Sequence, residues 1–178
     1  VGESKNKTIQ FRLSGFGGQG IVLAGRILAE ALAMERAHVT QSASYGPESR
    51  GSDCRADVVA SDEFIAYPRA TAPDFLITLS QNAYDKFTRD LKTGATVIFD
   101  AGLVKPSYLR GIEQFGIEAT GIAEKKFGNA QNANLVILGA LGKISGAASK
   151  ESLADACLEL GFNTGPAAIE HGWEAAAK

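Results

Sequence analysis

The spacing of hydrophobic and polar residues changes along this chain, and the changes mark its elements. Between Thr8 and Ser14 the residues Ile9, Phe11 and Leu13 alternate with polar neighbours, the period of a half-buried strand. Gly15 to Gly20 breaks that period. Ile21 to Met34 then carries apolar residues on nearly every face, leaving Arg26 and Glu30 as one polar ridge four residues apart, which predicts a well-buried helix. His38 to Ser44 reads as a short second strand, and Tyr45 to Ser52, with a proline and two glycines, as a loop. Ala56 to Ala60 and Phe75 to Leu79 are brief apolar runs with polar or proline borders, as in central strands. A helix is predicted over Gln81 to Leu91 with Gly94 as its stop, followed by a strand over Ala95 to Phe99 that closes at Asp100. From Ser107 to Phe127 the pattern is mixed, with a helix-like start, a glycine-interrupted middle and a strand signal around Ile117 to Ile122. Three helices follow: Asn132 to Ile144, Lys150 to Leu160 between a Ser149 cap and a Gly161 stop, and one opened by Pro166 that runs through Trp173.

Strands that alternate with helices predict an α/β fold, a three-layer α/β/α arrangement with a mainly parallel central sheet and helices on both faces. The 178 residues suit a single domain, with residues 1–7 a polar, flexible segment. A hydrophobic share of 45% and a charged share of 21% allow a real core and argue against disorder. The formal charge is −2 and the lysines and arginines are scattered, so a nucleic-acid partner is not expected. Apolar stretches such as Ile21 to Ala24 fall far short of the ~20 residues that span a bilayer, and no apolar segment follows the polar start, so the chain is read as cytoplasmic with no membrane partner.

Cys54 and Cys157 are far apart and read as reduced thiols; iron–sulfur clusters usually ask for about four close-set cysteines, which this chain lacks. His38 and His171 have no metal-ligand spacing, and no metal site is expected. No G-x-S-x-G elbow and no P-loop lysine occur, so catalytic residues are not expected on this chain.

Gly15-Phe16-Gly17-Gly18-Gln19-Gly20 fits G-x-G-x-x-G after a predicted strand and before a predicted helix, a Rossmann-like glycine loop. Its glycines permit close backbone approach, and the helix start can turn free N–H groups to a phosphate or carboxylate. The same glycines also serve close strand-to-helix packing, and both readings stand. A dinucleotide site further asks for an acidic residue ~20 positions on, for the ribose hydroxyls. Thr40 to Ser44 holds no carboxylate there.

Together, the Gly15 to Gly20 loop and Ser44-Tyr45-Gly46-Pro47-Glu48-Ser49-Arg50-Gly51 resemble the gamma subunits of 2-oxoacid:ferredoxin oxidoreductases. The likeness continues through Asp57 to Asp62 and Pro73 to Tyr84, covers at least residues 8 to 105, and extends more weakly to Asn132 to Gly142. Ser52 stands where the family commonly has another glycine, and Cys54-Arg55 where small or neutral residues are frequent. The resemblance implies a non-autonomous subunit of an enzyme that decarboxylates a 2-oxoacid, of the 2-oxoglutarate or pyruvate class, on thiamine diphosphate with magnesium. That enzyme passes electrons through iron–sulfur clusters to ferredoxin and delivers the acyl group to coenzyme A. It also implies alpha and beta partner subunits, with a delta subunit as a further candidate, and places the cofactors on those partners. The isolated chain is expected to be inactive, to bind no cofactor alone, and to be a candidate for homodimerisation.

On this reading the two loops meet at the carboxyl ends of adjacent strands and help form the coenzyme A region. Gly15, Gly17, Gly18, Gln19 and Gly20 shape its floor, and Tyr45, Gly46, Glu48, Arg50 and Gly51 add the second loop. Arg50 is suited to bidentate bonds with a phosphate or a partner carboxylate, with Glu48 orienting it; an internal Glu48–Arg50 pair is the simpler alternative. Two rival functions are kept: a free-standing dinucleotide-binding protein, and a purely structural assembly module. A surface built for partners should leave apolar groups exposed, expected in the Tyr45 loop and the Trp173 helix.

Overall fold

The computed structural model describes residues 8–45 and 53–176. Six strands form one mixed sheet in the order β2-β3-β1-β4-β5-β6. These are β1 (Ile9–Phe16), β2 (His38–Tyr45), β3 (Asp53–Ser61), β4 (Phe75–Thr78), β5 (Thr96–Asp100) and β6 (Glu113–Ile117). β1, β4, β5 and β6 pair in parallel, while β3 runs antiparallel to both of its neighbours, β1 and β2. All strands but β3 therefore point one way.

Helix α1 (Ile21–Ala33) leaves β1 and packs back on the sheet through Ala24, Ile27, Leu28, Ala31 and Leu32, with Arg26 and Glu30 exposed. It can lie this close because residue 25 is glycine: a Cβ there would stand 2.7 Å from that of Ala56 on β3. The same face carries α3 (Ala119–Phe127), α4 (Ala133–Ser145), α5 (Lys150–Glu159) and α6 (Gly165–Ala175), joined to the strands in one continuous core. Among the described residues the opposite face holds only α2 (Gln81–Phe87), whose Tyr84 packs with Leu76, Val97, Phe99 and Val104, together with the connections on either side of β4 and β5. The expected three layers are thus unequal, five helices against one.

Most predicted elements lie where the pattern put them, and three corrections have physical causes. Helix α2 stops at Phe87 rather than Leu91, because Thr88 turns its hydroxyl onto the Tyr84 carbonyl (2.7 Å). Gly94 is no helix stop; with φ +84° it serves the turn into β5, where the Ala95 N–H meets the Lys92 carbonyl. In the mixed segment the strand is Glu113–Ile117 and the residues read as strand, through Ile122, form α3 instead.

Candidate functional site

The chain turns to one side of the sheet after β1, through α1 to β2, and to the other after β4, through α2 to β5 and β6. The crevice at the carboxyl ends of β1 and β4 is therefore a topological switch point, where open α/β sheets bind ligands. A cleft of about 310 Å³ opens there. Gly18 and Gln19 line it from the glycine loop, Leu79 from the end of β4, Leu103 from the turn after β5, and Thr120, Ala130, Gln131 and Ala133 from the starts of α3 and α4. Its surface is largely apolar, with amides and a hydroxyl at intervals.

The loop owes its shape to its own sequence. Gln19 takes the Phe16 N–H on its Oε1 (2.7 Å) and donates its Nε2 to the Leu79 carbonyl (2.7 Å), so one side chain closes the turn and moors it to β4. Glycine at residue 15 leaves room for it, since a Cβ there would stand 2.5 Å from that same Oε1 and displace the Gln19 side chain. Gly20 caps α1 at φ +71°, in the left-handed region that favours glycine. It brings no side chain, and the first turn of α1 holds no acid, so the positive end of this helix is uncompensated from within. Gly17 and Gly18 are exposed between these fixed points.

Helix α4 carries no acid in its first turn either, but the 3-10 turn Ala130–Asn132 runs into it, and its Ala133 and Leu135 N–H groups bond the Ala130 carbonyl and the Asn134 Oδ1. Asn132 stands at its cap but makes no capping bond; its Oδ1 instead accepts the Thr164 hydroxyl (3.3 Å). Helix α3 differs. The buried carboxylate of Asp100, at the end of β5, accepts the Thr120 N–H (2.9 Å) and hydroxyl (2.6 Å) and also the Gly102 N–H (3.0 Å). The cleft thus faces the open start of α1, the partly satisfied start of α4 and the start of α3 that Asp100 has satisfied, a field that favours an anion modestly.

Five of the expected residues, Gly15, Gly17, Gly18, Gln19 and Gly20, form the loop beside this cleft, though only Gly18 and Gln19 line it. Tyr45 ends β2 opposite Cys54 of β3. Gly46, Glu48, Arg50 and Gly51 lie outside the described residues. The two loops were expected on adjacent strands, but β3 separates β1 from β2. Tyr45 at the end of β2 and Asp53 at the start of β3 nevertheless lie at the same end of the sheet as the glycine loop, because Asp53 pairs with Phe16 and Cys54 with both Tyr45 and Gly15. Asp100, Thr120, Gln131 and Asn134 were not anticipated. The closing of a buried strand at an acid was the one visible signal, for Asp100.

Residues 10–178 match the family model described as pyruvate ferredoxin/flavodoxin oxidoreductase. The chain is 43% identical over 153 residues to the 2-oxoglutarate synthase subunit KorC of Methanocaldococcus jannaschii, covering 84% of this chain and 82% of that one. The crystal structure of a keto/oxoacid ferredoxin oxidoreductase gamma subunit from Geobacter sulfurreducens superposes with a TM-score of 0.85 at 34% identity, covering 96% and 97% of the two chains. The fold also matches, with a TM-score of 0.82 and 24% identity, 30% of a chain of the 2-oxoglutarate:ferredoxin oxidoreductase from Magnetococcus marinus, solved with 2-oxoglutarate, coenzyme A and succinyl-CoA bound; 97% of the present chain is covered. The chain belongs to the pyruvate ferredoxin/flavodoxin oxidoreductase family, as the gamma subunit of a 2-oxoacid:ferredoxin oxidoreductase.

Proposed function

We propose that the complex served by this subunit oxidatively decarboxylates 2-oxoglutarate to succinyl-CoA, and that the switch-point cleft receives a phosphate-bearing part of coenzyme A. The observation that carries the second claim is the meeting of the glycine loop and the open start of α1 at one largely apolar cleft. Apolar walls suit the pantetheine or base of the ligand, and the loop amides suit its phosphates. The name of the 43%-identical relative supports the substrate, and the ligands of the Magnetococcus enzyme, whose fold this chain shares, support the carrier.

Thiamine diphosphate with magnesium and the iron–sulfur clusters would supply decarboxylation and electron transfer to ferredoxin, and this reading puts them on alpha and beta partners. Two cysteines, buried apart, are too few to hold such a cluster, and no group of three or more metal-ligating side chains occurs among the described residues. Its own task is to bind and orient the acyl acceptor. Arg50 and Glu48, which lie outside the described residues, are kept from the sequence as candidates for a phosphate or a partner carboxylate. A cytoplasmic setting follows from dependence on ferredoxin and coenzyme A, and no helix among the described residues is long and apolar enough to cross a membrane.

The test is isolation of the tagged chain with its partners from native cells, then assay of coenzyme A-dependent ferredoxin reduction with 2-oxoglutarate and with pyruvate. Gly17→Asp is the diagnostic variant, because residue 17 is exposed and has no positive φ to strain, and the change puts a negative charge on the loop. It should raise KM for coenzyme A about tenfold, an effect softened by salt, and leave KM for the 2-oxoacid unchanged. Activity without 2-oxoglutarate preference, or an unaltered KM for coenzyme A, would contradict the corresponding half of the proposal.

A further inference from the structure

We propose that Asn134, in the first turn of α4, is a positioning residue for the glycine loop. It fixes the direction of the Gly20–Ile21 peptide and so the N–H that α1 turns toward the ligand. The inference rests on the reading that this cleft holds an anionic part of coenzyme A.

Asn134 is only 2% exposed, and both ends of its amide are engaged. Its Nδ2 donates to the Gly20 carbonyl (3.1 Å) and its Oδ1 accepts the Leu135 N–H (3.0 Å). The Gly20 carbonyl also receives the Ala24 N–H of α1 (2.9 Å). None of the described peptide bonds is cis, so a carbonyl held from the helix side leaves the Ile21 N–H pointing the other way, out of the first turn toward the side where Gly18 and Gln19 line the cleft. The contact has no slack: a Cβ on residue 20 would run into the Asn134 amide.

Gln19 moors the preceding residue of the loop to β4, so the loop is fastened at two successive positions, to β4 and to α4. Asn134 lies 114 residues from Gly20, and its neighbour Ala133 lines the same cleft. Ligand affinity is thereby tied to the seating of α4. A side chain that merely filled space would affect yield and stability; one that aims a donor affects binding while leaving the chemistry intact.

The test uses the assembled enzyme with Asn134→Ala, Asn134→Asp and Gly17→Asp, measuring kcat and KM for coenzyme A and for the 2-oxoacid. Asn134→Ala should raise KM for coenzyme A about five- to tenfold, with kcat within about twofold and KM for the 2-oxoacid unchanged. Asn134→Asp keeps the size and the acceptor for Leu135 but loses the donor, and should raise KM at least as much; it decides the matter if the alanine variant fails to assemble. An unchanged KM in both Asn134 variants, alongside a raised one in Gly17→Asp, would overturn the positioning role and leave the cleft reading standing. An unchanged KM in all three would overturn the cleft reading itself. Loss of kcat or of assembled enzyme at unchanged KM would make Asn134 structural and end the proposal.

Discussion

A few side chains do more than their number suggests. Asp100 is wholly buried, and its carboxylate accepts three hydrogen bonds that set the turn after β5 and the start of α3. Asp100→Ala would leave the Gly102 and Thr120 donors without a partner and should cost about 3 kcal/mol, measured by denaturant unfolding. An equal midpoint for the variant would contradict this. The cysteines are expected to be inert. Burial pushes the Cys157 thiol up to about 11 and also raises that of Cys54. Near neutral pH both should resist a thiol reagent until the chain unfolds, and rapid labelling of the folded protein would refute it. The glycine loop was legible because its signal is local, within six residues. Asp100 and Asn134 act across 20 and 114 residues, and no local pattern carries that information.

Between elements, glycines and caps decide how close helices come. In the α4–α6 pair, a Cβ at Gly139 would strike the carbonyl of Ile169 and one at Gly172 that of Val136, contacts with rigid backbone that cannot yield. Gly139→Ala and Gly172→Ala should each destabilise by about 1–3 kcal/mol or more, although alanine is the better helix former; a stabilised variant would refute the close contact. The end of α1 is tied to α5 through Glu35, which accepts from the Ser149 N–H (2.9 Å) and hydroxyl (2.8 Å) and from the Ser152 hydroxyl. Burial alone would raise the Glu35 carboxyl, but the bonds from Ser152 and Ser149, aided by Arg36, outweigh it and hold the group below its ordinary value of 4.5. A lowered folded-state pKa means stability that is complete above 4.5 and is lost as pH falls through the lowered value. The difference in melting temperature between wild type and Glu35→Gln should therefore shrink below that point, and a difference independent of pH would count against the tie. The Ser149 cap was visible in the sequence, whereas the Glu35 that completes it was not. β6 and α3 were misread for a related reason. Glu113–Ile117 is a mostly exposed edge strand whose apolar alternation is limited to Phe115 and Ile117, and α3 opens with the strand-favouring Thr120 and Ile122, overruled by the buried Ala119 and Ala123 and by Asp100.

In the molecule as a whole, the two faces of the sheet differ. One is buried under five helices, and the other carries a bidentate pair of Arg12 with the buried Asp57 (2.8 and 3.1 Å) that also anchors the Ala70 carbonyl (2.6 Å). Arg12→Met would leave that carboxylate only the more distant Arg55 (3.9 Å) and should cost about 3 kcal/mol of stability, read by denaturation; a near-neutral change would mean that Arg55 takes the place of Arg12. The large exposed apolar groups are not on the Trp173 helix, where Trp173 is half-buried beside Gly142 and Lys143. They include Phe64 and Tyr67 in the connection before β4 and Leu103 and Tyr108 in the one after β5. The α/β class was legible from alternating periods. The inversion of β3 was not, since an antiparallel strand buried between two others has the same apolar run as a parallel one.

Hydrogen–deuterium exchange of the assembled enzyme, with and without coenzyme A, tests the central claim most directly. Added coenzyme A should slow exchange at the backbone amides of residues 17–23 and 130–134, around the switch-point cleft. Unchanged exchange in both segments, in a preparation that still turns over coenzyme A, would contradict it.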